Sequence, residues 1–294
     1  MRSVLALLIG GAVLAMTAST RAQEIDWQKV DAAFGRQPTI SGDVRRYGLP
    51  RTDLTVTLDG VILRPAFALG GWIAVKPARD GAMVMGDLVL LETEINPVMT
   101  KLIGNGIEIT ALHNHLLRGD PATFYMHVGG HGDPVKIAIA IREALTASRT
   151  PLDPTAAAAS APAIDLDTAL LDQIIGAKGQ ANGGVYQFLV PRKDKITENG
   201  MSVPPAMGTA MVINFQPTGG GKAAITGDFV VTAQELNPLI RALRGHGIEV
   251  TAIHSHMLDE QPRLFFVHFW ANDYAVKLAT GLRSALEKTA IARS

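Results

Sequence analysis

The stretch "AMVMGDLVLLETEINPVMTKLIGNGIEITALHNH", Ala82 to His115, decides the fold, because it returns as "AAITGDFVVTAQELNPLIRALRGHGIEVTAIHSH", Ala223 to His256. The offset is 141, and between positions 86 and 145 the two copies share 25 identities in 60 gapless pairs. Agreement over that length means that a whole folding unit was duplicated. The period is far too long for a solenoid, so each copy is expected to be a domain with its own core. Upstream the register survives one compensated indel. "VRRYGLPR" from Val44 matches "VYQFLVPR" from Val185, and "PAFALGGWIAVKP" from Pro65 matches "PAMGTAMVINFQP" from Pro205, now at offset 140.

Within one copy, an initial helix near Trp27 to Phe34 precedes several extended segments rich in Val, Leu and Ile, among them "AMVMGDLVLLE". In "EINPVMTKLIGNG" Asn96 reads as a helix cap, Pro97 as the first helical position and Gly104 or Gly106 as the stop. "IEITALHNH" and "TFYMHV" read as strands joined by a polar turn at Arg118-Gly119-Asp120, and "DPVKIAIAIREAL" closes the copy as a helix. The expectation is an α+β fold of two tandem homologous domains, each a mostly antiparallel sheet with helices packed on one face. The chain divides into a signal peptide (1–22), a first repeat domain (23–147), an Ala/Pro-rich linker (148–165) and a second repeat domain (166–294).

The duplication also isolates a chemical feature. Six of the eight histidines fall into one repeated pattern: His113, His115 and His127 in the first copy, His254, His256 and His268 in the second. Side chains at i and i+2 share a strand face. His113 and His115 are thus expected to extend the apolar row Ile107, Ile109 and Ala111 on the core side. A hairpin symmetric about Asp120 would place His127 opposite His113. The expectation is a three-histidine site in each copy, suited to a borderline divalent metal (Zn, Cu or Ni) with a position left open for water or a small ligand. Glu94/Glu235 and Glu108/Glu249 are the repeated acids nearest in sequence to support those ligands, and Asp87/Asp228 lie farther off. None of these acids is assigned as a direct ligand of the metal.

Composition narrows the remaining classes. Hydrophobic residues make up 47% and charged residues 18%, enough apolar material for packed cores. Lys plus Arg equal Asp plus Glu at 27 each, and no basic tract stands out, which argues against nucleic acid as a partner. The second copy also spells His-Ser-His where the first spells His-Asn-His, which removes a nuclease reading of "HNH". The N-terminus, "MRSVLALLIGGAVLAMTASTRAQ", has a positive start, a short apolar run and small residues before Ala22. It reads as an export signal cleaved near Ala22, leaving no transmembrane segment in the mature chain and a periplasmic or secreted protein. With no cysteine, thiolate ligation, disulfides and cysteine lipidation are excluded.

The run from Thr232 to Leu286, with Asn237-Pro238, His254-x-His256 and "FVHFW" at fixed spacing, resembles the LppY/LpqO family of exported bacterial proteins, a domain of unknown function. The first copy looks like a diverged relative through "EINPVMTKLIGNGIEITALHNH" and "FYMHV". The resemblance implies export and the duplicated organisation, and it brings no activity. It departs from the family's lipoprotein members, because no cysteine follows the signal. Three functions fit the residues: binding of a metal ion or small ligand by the histidines, a metal-dependent enzyme (hydrolase or oxidative), and a structural or partner-binding envelope module with buried histidines. No nucleophile motif points to catalytic residues, which stay unknown, and the oligomeric state is not legible.

Overall fold

The computed structural model describes residues 25–153 and 162–292; the signal-peptide reading and the middle of the linker lie outside them. Each copy builds one six-stranded antiparallel sheet. In the first the strands run, in spatial order, Thr39–Ser41, Val44–Pro50, Gly70–Ala78, Gly81–Leu91, Thr123–Gly132 and Glu108–His113. The second repeats the order with Gln180–Asn182, Val185–Pro191, Ala210–Gly219, Lys222–Val231, Phe265–Tyr274 and Glu249–His254.

The helices Trp27–Phe34, Glu92–Gly104 and Pro134–Leu145 cover one face of the first sheet, and Thr168–Ile175, Ala233–Gly245 and Ala275–Leu286 cover one face of the second. The two remaining sheet faces pack on each other. Trp72, Ala74, Met83 and Met85 share a buried cluster with Met207, Val203 and Met257, while Val89 and Tyr125 share another with Val185, Ala224 and Trp270. Four layers result, helices–sheet–sheet–helices. This explains the unbroken apolar run in Gly81–Leu91, where nine consecutive residues are buried: both faces of that strand are covered.

Each copy also sends a small insertion across the other. The hairpin Thr57–Leu58/Val61–Ile62 and the short helix Pro65–Ala68 reach the second sheet, where Asn214 Nδ2 donates to the Phe67 carbonyl at 2.8 Å and Gln216 Nε2 to the Ile62 carbonyl at 2.8 Å. The NH2 groups of two buried amides thus find their acceptors on the other copy.

The Glu92–Gly104 helix starts five residues before Pro97, not at it. Glu94 caps the helix one turn earlier, its carboxylate accepting from the Leu91 amide at 2.9 Å. Pro97 therefore sits inside the helix, and Glu235 does the same for Pro238. Glu94 has a second task. Fully buried Arg51 donates to it from Nη1 at 2.7 Å and to the Val89 carbonyl at 2.8 Å, with Asp53 on the other edge of the guanidinium. Arg192 repeats this with Glu235, Val230 and Asp194. Glu94 and Glu235 thus serve the arginines and not the histidines. Replacing Arg51 by Met strands a buried carboxylate, and a loss of about 3–5 kcal/mol in denaturant unfolding is expected.

Candidate metal centre at the interface of the two copies

The hairpin carrying His113 does not pair as its symmetry about Asp120 suggested. His127 lies opposite Ala111, and His113 lies opposite Tyr125. A β-bulge between Ile109 and Ala111 leaves Thr110 as the extra residue and breaks the i, i+2 rule. Ile109, opposite Val128, turns to the helix-side core. Ala111, opposite His127, faces the second sheet with His113. The histidines thus leave the apolar row they were expected to extend and point at the other copy. Thr251 makes the same bulge in the second copy.

The bulged threonines reach across. Thr110 Oγ1 donates to the His256 carbonyl at 2.6 Å, and Thr251 Oγ1 donates to the His115 carbonyl at 2.5 Å. This reciprocal pair clamps two histidine loops around an approximate two-fold axis. On it His113 stacks on its own counterpart His254, with ring centroids 3.5 Å apart. His115 stacks on His268 at 3.6 Å, and His127 stacks on His256 at 3.9 Å. The sequence predicted one three-histidine site in each copy; the structure brings all six rings into one cluster.

Two carboxylates complete it. Asp87 lies 4.0 Å from Nε2 of both His115 and His127, and Asp228 lies 3.4 Å from His256 Nε2 and 3.8 Å from His268 Nε2, none with hydrogen-bond geometry. These acids, and not Glu108 or Glu249, face the rings; Glu249 instead binds Arg118 on the surface, and Glu108 is exposed. The signal for them was present as the repeated pair Gly86-Asp87 and Gly227-Asp228, a charge in the middle of an apolar strand. A side chain at Gly227 would strike the Val212 carbonyl of the neighbouring strand. The Gly227 carbonyl accepts from His268 Nδ1 at 2.7 Å, and the Gly86 carbonyl likewise bonds His127. With Nδ1 so occupied, His268 presents Nε2 to the centre, the orientation typical of a ligating imidazole.

Burial holds all six imidazoles below their ordinary range, His113 down to about 2 and His254 down to about 4, and neighbouring rings add to the effect at every one but His254. They are neutral, with lone pairs free. Burial pushes Asp87 up to about 7 against the pull of Arg46, and it raises Asp228 well above the carboxylate range with help from Asp87.

Buried polar atoms are nearly always paired. Here nine are not: Nε2 of all six histidines, Nδ1 of His113, and Oδ1 of Asp87 and Asp228. Ligand atoms of His113, His115, His254 and His268 all lie within 4.8 Å of one another, as do those of His127, His254 and His256, and those of Asp87, His115 and His127. Ligands about 2.1 Å from a tetrahedral ion lie about 3.4 Å apart, so a set spread as widely as 4.8 Å closes on an ion by inward shifts of up to about 0.8 Å each. The first two sets share His254, and one neutral ring offers one lone pair, so they compete for it.

A family model described as Domain of Unknown Function (DUF1259) matches residues 28–147 and again residues 169–288. The chain belongs to that family. The two matches coincide with the two sheets and their helices, so the family unit is one copy and the histidine cluster needs two. No curated protein matches the chain. Among solved structures, the trimeric bacterial microcompartment shell protein PduB is similar at 14% identity, covering 88% of this chain and 97% of that one with a TM-score of 0.21. EtuB from Clostridium kluyveri is similar at 11% identity, covering 85% and 89% with a TM-score of 0.18. Scores this low lend neither protein's assembly nor its role to this chain.

Proposed function

We propose that this is an exported protein of the LppY/LpqO type that binds one divalent transition metal ion per chain at the interface of its two copies. The observation that carries the reading is the convergence of nine unpaired buried polar atoms on eight side chains, arranged as neutral imidazoles around two carboxylates. Leaving a buried polar group unpaired costs roughly 1–3 kcal/mol, and an ion satisfies several at once. His113, His115, His254 and His268 form the set that would hold it, with Asp87 and Asp228 offsetting its charge. A nitrogen-rich donor set without sulfur suits Zn²⁺, Cu²⁺ or Ni²⁺. Export rests on the N-terminal signal, and among the described residues no helix is long and apolar enough to cross a membrane.

Elemental analysis of tag-free protein after exposure to Zn²⁺ and Cu²⁺ tests this. One equivalent per chain is expected, and none in the His254→Ala/His256→Ala variant; equal metal in both, or none in either, would sink the reading. A metal-dependent enzyme, hydrolytic or oxidative, is the second reading. It is favoured by a cavity of about 520 Å³ that opens on the cluster, and turnover lost with the same two histidines would promote it.

A further inference from the structure

We propose that the cavity beside the histidine cluster takes a small organic carboxylate with an apolar body, anchored by Arg46; this rests on the metal reading above. The cavity lies between the two sheets. Asp87, His115, Asp228, His256 and His268 form its inner wall, so a ligand in it abuts the proposed ion. Phe67, Trp72 and Tyr125 give it aromatic sides, a surface matched to an apolar body rather than to a bare inorganic anion.

Arg46 is the cation in that lining. Its guanidinium lies 3.8 Å over the Trp72 ring, and Nη1 donates to the Ala206 carbonyl at 3.0 Å. Among the described residues no carboxylate comes within ion-pair distance of it, unlike Arg51 and Arg192, which are fully engaged. A stacked, planar fork with donors to spare is the group that receives a carboxylate through two parallel hydrogen bonds.

The duplication supplies independent support. All eight groups of the cluster recur in both copies: Asp87/Asp228, His113/His254, His115/His256 and His127/His268. The anchoring pair does not. Gln187 stands in the second copy where the first has Arg46, and Val212 stands in place of Trp72. Gln187 spends its amide on Asn214 Oδ1 at 2.9 Å. A pseudo-symmetric centre thus carries a cation and its aromatic platform on one side only, which matches a ligand with one charged end. Asp87 and Asp228 share the inner wall with the histidines, so a cation held there would add to the attraction for the ligand's charged end, and this ties the ligand to the metal.

Calorimetric titration of the zinc-loaded full chain with benzoate, benzamide and inorganic phosphate tests the proposal, with zinc content measured on every sample. Benzoate is expected to bind at least tenfold tighter than either other probe. Arg46→Gln, which installs the second copy's residue, is expected to weaken benzoate at least tenfold while zinc content and melting temperature stay unchanged. Equal binding of benzoate and benzamide, phosphate binding as tight as benzoate, or benzoate affinity within twofold in zinc-loaded Arg46→Gln would each overturn it. A chain that takes up no zinc overturns the metal reading instead. In that case Arg46-dependent benzoate binding to the zinc-free chain upholds the cavity, and its absence overturns the cavity as well.

Discussion

A single substitution in the first copy, His113→Ala, is expected to remove all bound metal from the chain and not half of it. If each copy held its own ion, disabling one would leave half. In the structure His113 and His115 share their set with His254 and His268, and His113 stacks on His254 at the axis. The expected content falls from one equivalent to below roughly a tenth, with affinity weakened more than the 10–100-fold typical of losing a supporting group. The thermal shift falls with it. Free metal at about 100 times Kd stabilises wild-type protein by about 2.7 kcal/mol, and the variant is expected to gain none of this. Elemental analysis and thermal melts with and without zinc check both readouts; half of the wild-type metal content retained in His113→Ala would show two independent sites.

The second large effect is on acid stability. In metal-free protein the six buried imidazoles titrate well below the ordinary histidine value of 6.5 that they regain on unfolding. Below that pH the unfolded chain binds more protons, so stability falls as pH falls. The aspartates act in the opposite sense. Asp87 keeps its proton up to about 7 when folded, and Asp228 is raised as well, against 3.8 when unfolded. They therefore favour the folded state as pH falls from 7 towards 4. Six groups against two leave a net uptake of about four protons on unfolding near pH 5. At about 1.4 kcal/mol per proton and pH unit, the slope is on the order of 5 kcal/mol per pH unit. A domain's whole stability is about 5–15 kcal/mol, which such a slope exhausts within about one to three pH units of 6.5, so cooperative unfolding is expected between about pH 5.5 and 3.5 in the presence of chelator. Circular dichroism across pH 7 to 3 measures it, and an intact native signal at pH 3 would contradict the assignment of neutral, desolvated rings.

Bound metal shifts the balance further. Protons compete with the ion for the same lone pairs, so acid release of metal and unfolding are expected to coincide.

The duplication, the α+β class and the punctuation of each copy were legible because they rest on local chemistry. Val- and Ile-rich runs form strands, Gly and Asp or Asn mark turns and caps, and identical spacing repeats identical folds. The six histidines were legible for the same reason. Their orientation was not, because alternation holds only in a regular strand, and the bulges at Thr110 and Thr251 turn the histidines to the other face. Asp87 and Asp228 are close to them only through pairing of the Gly81–Leu91 and Lys222–Val231 strands with their neighbours. What the sequence determined by itself, then, is two copies of one folding unit, each with three histidines near a hairpin. Only the tertiary structure decided that these make one site. The sheets are helix-covered on one face alone, so burying their other faces brings the copies together, and with them the histidines, the aspartates and the cavity that none of them forms alone.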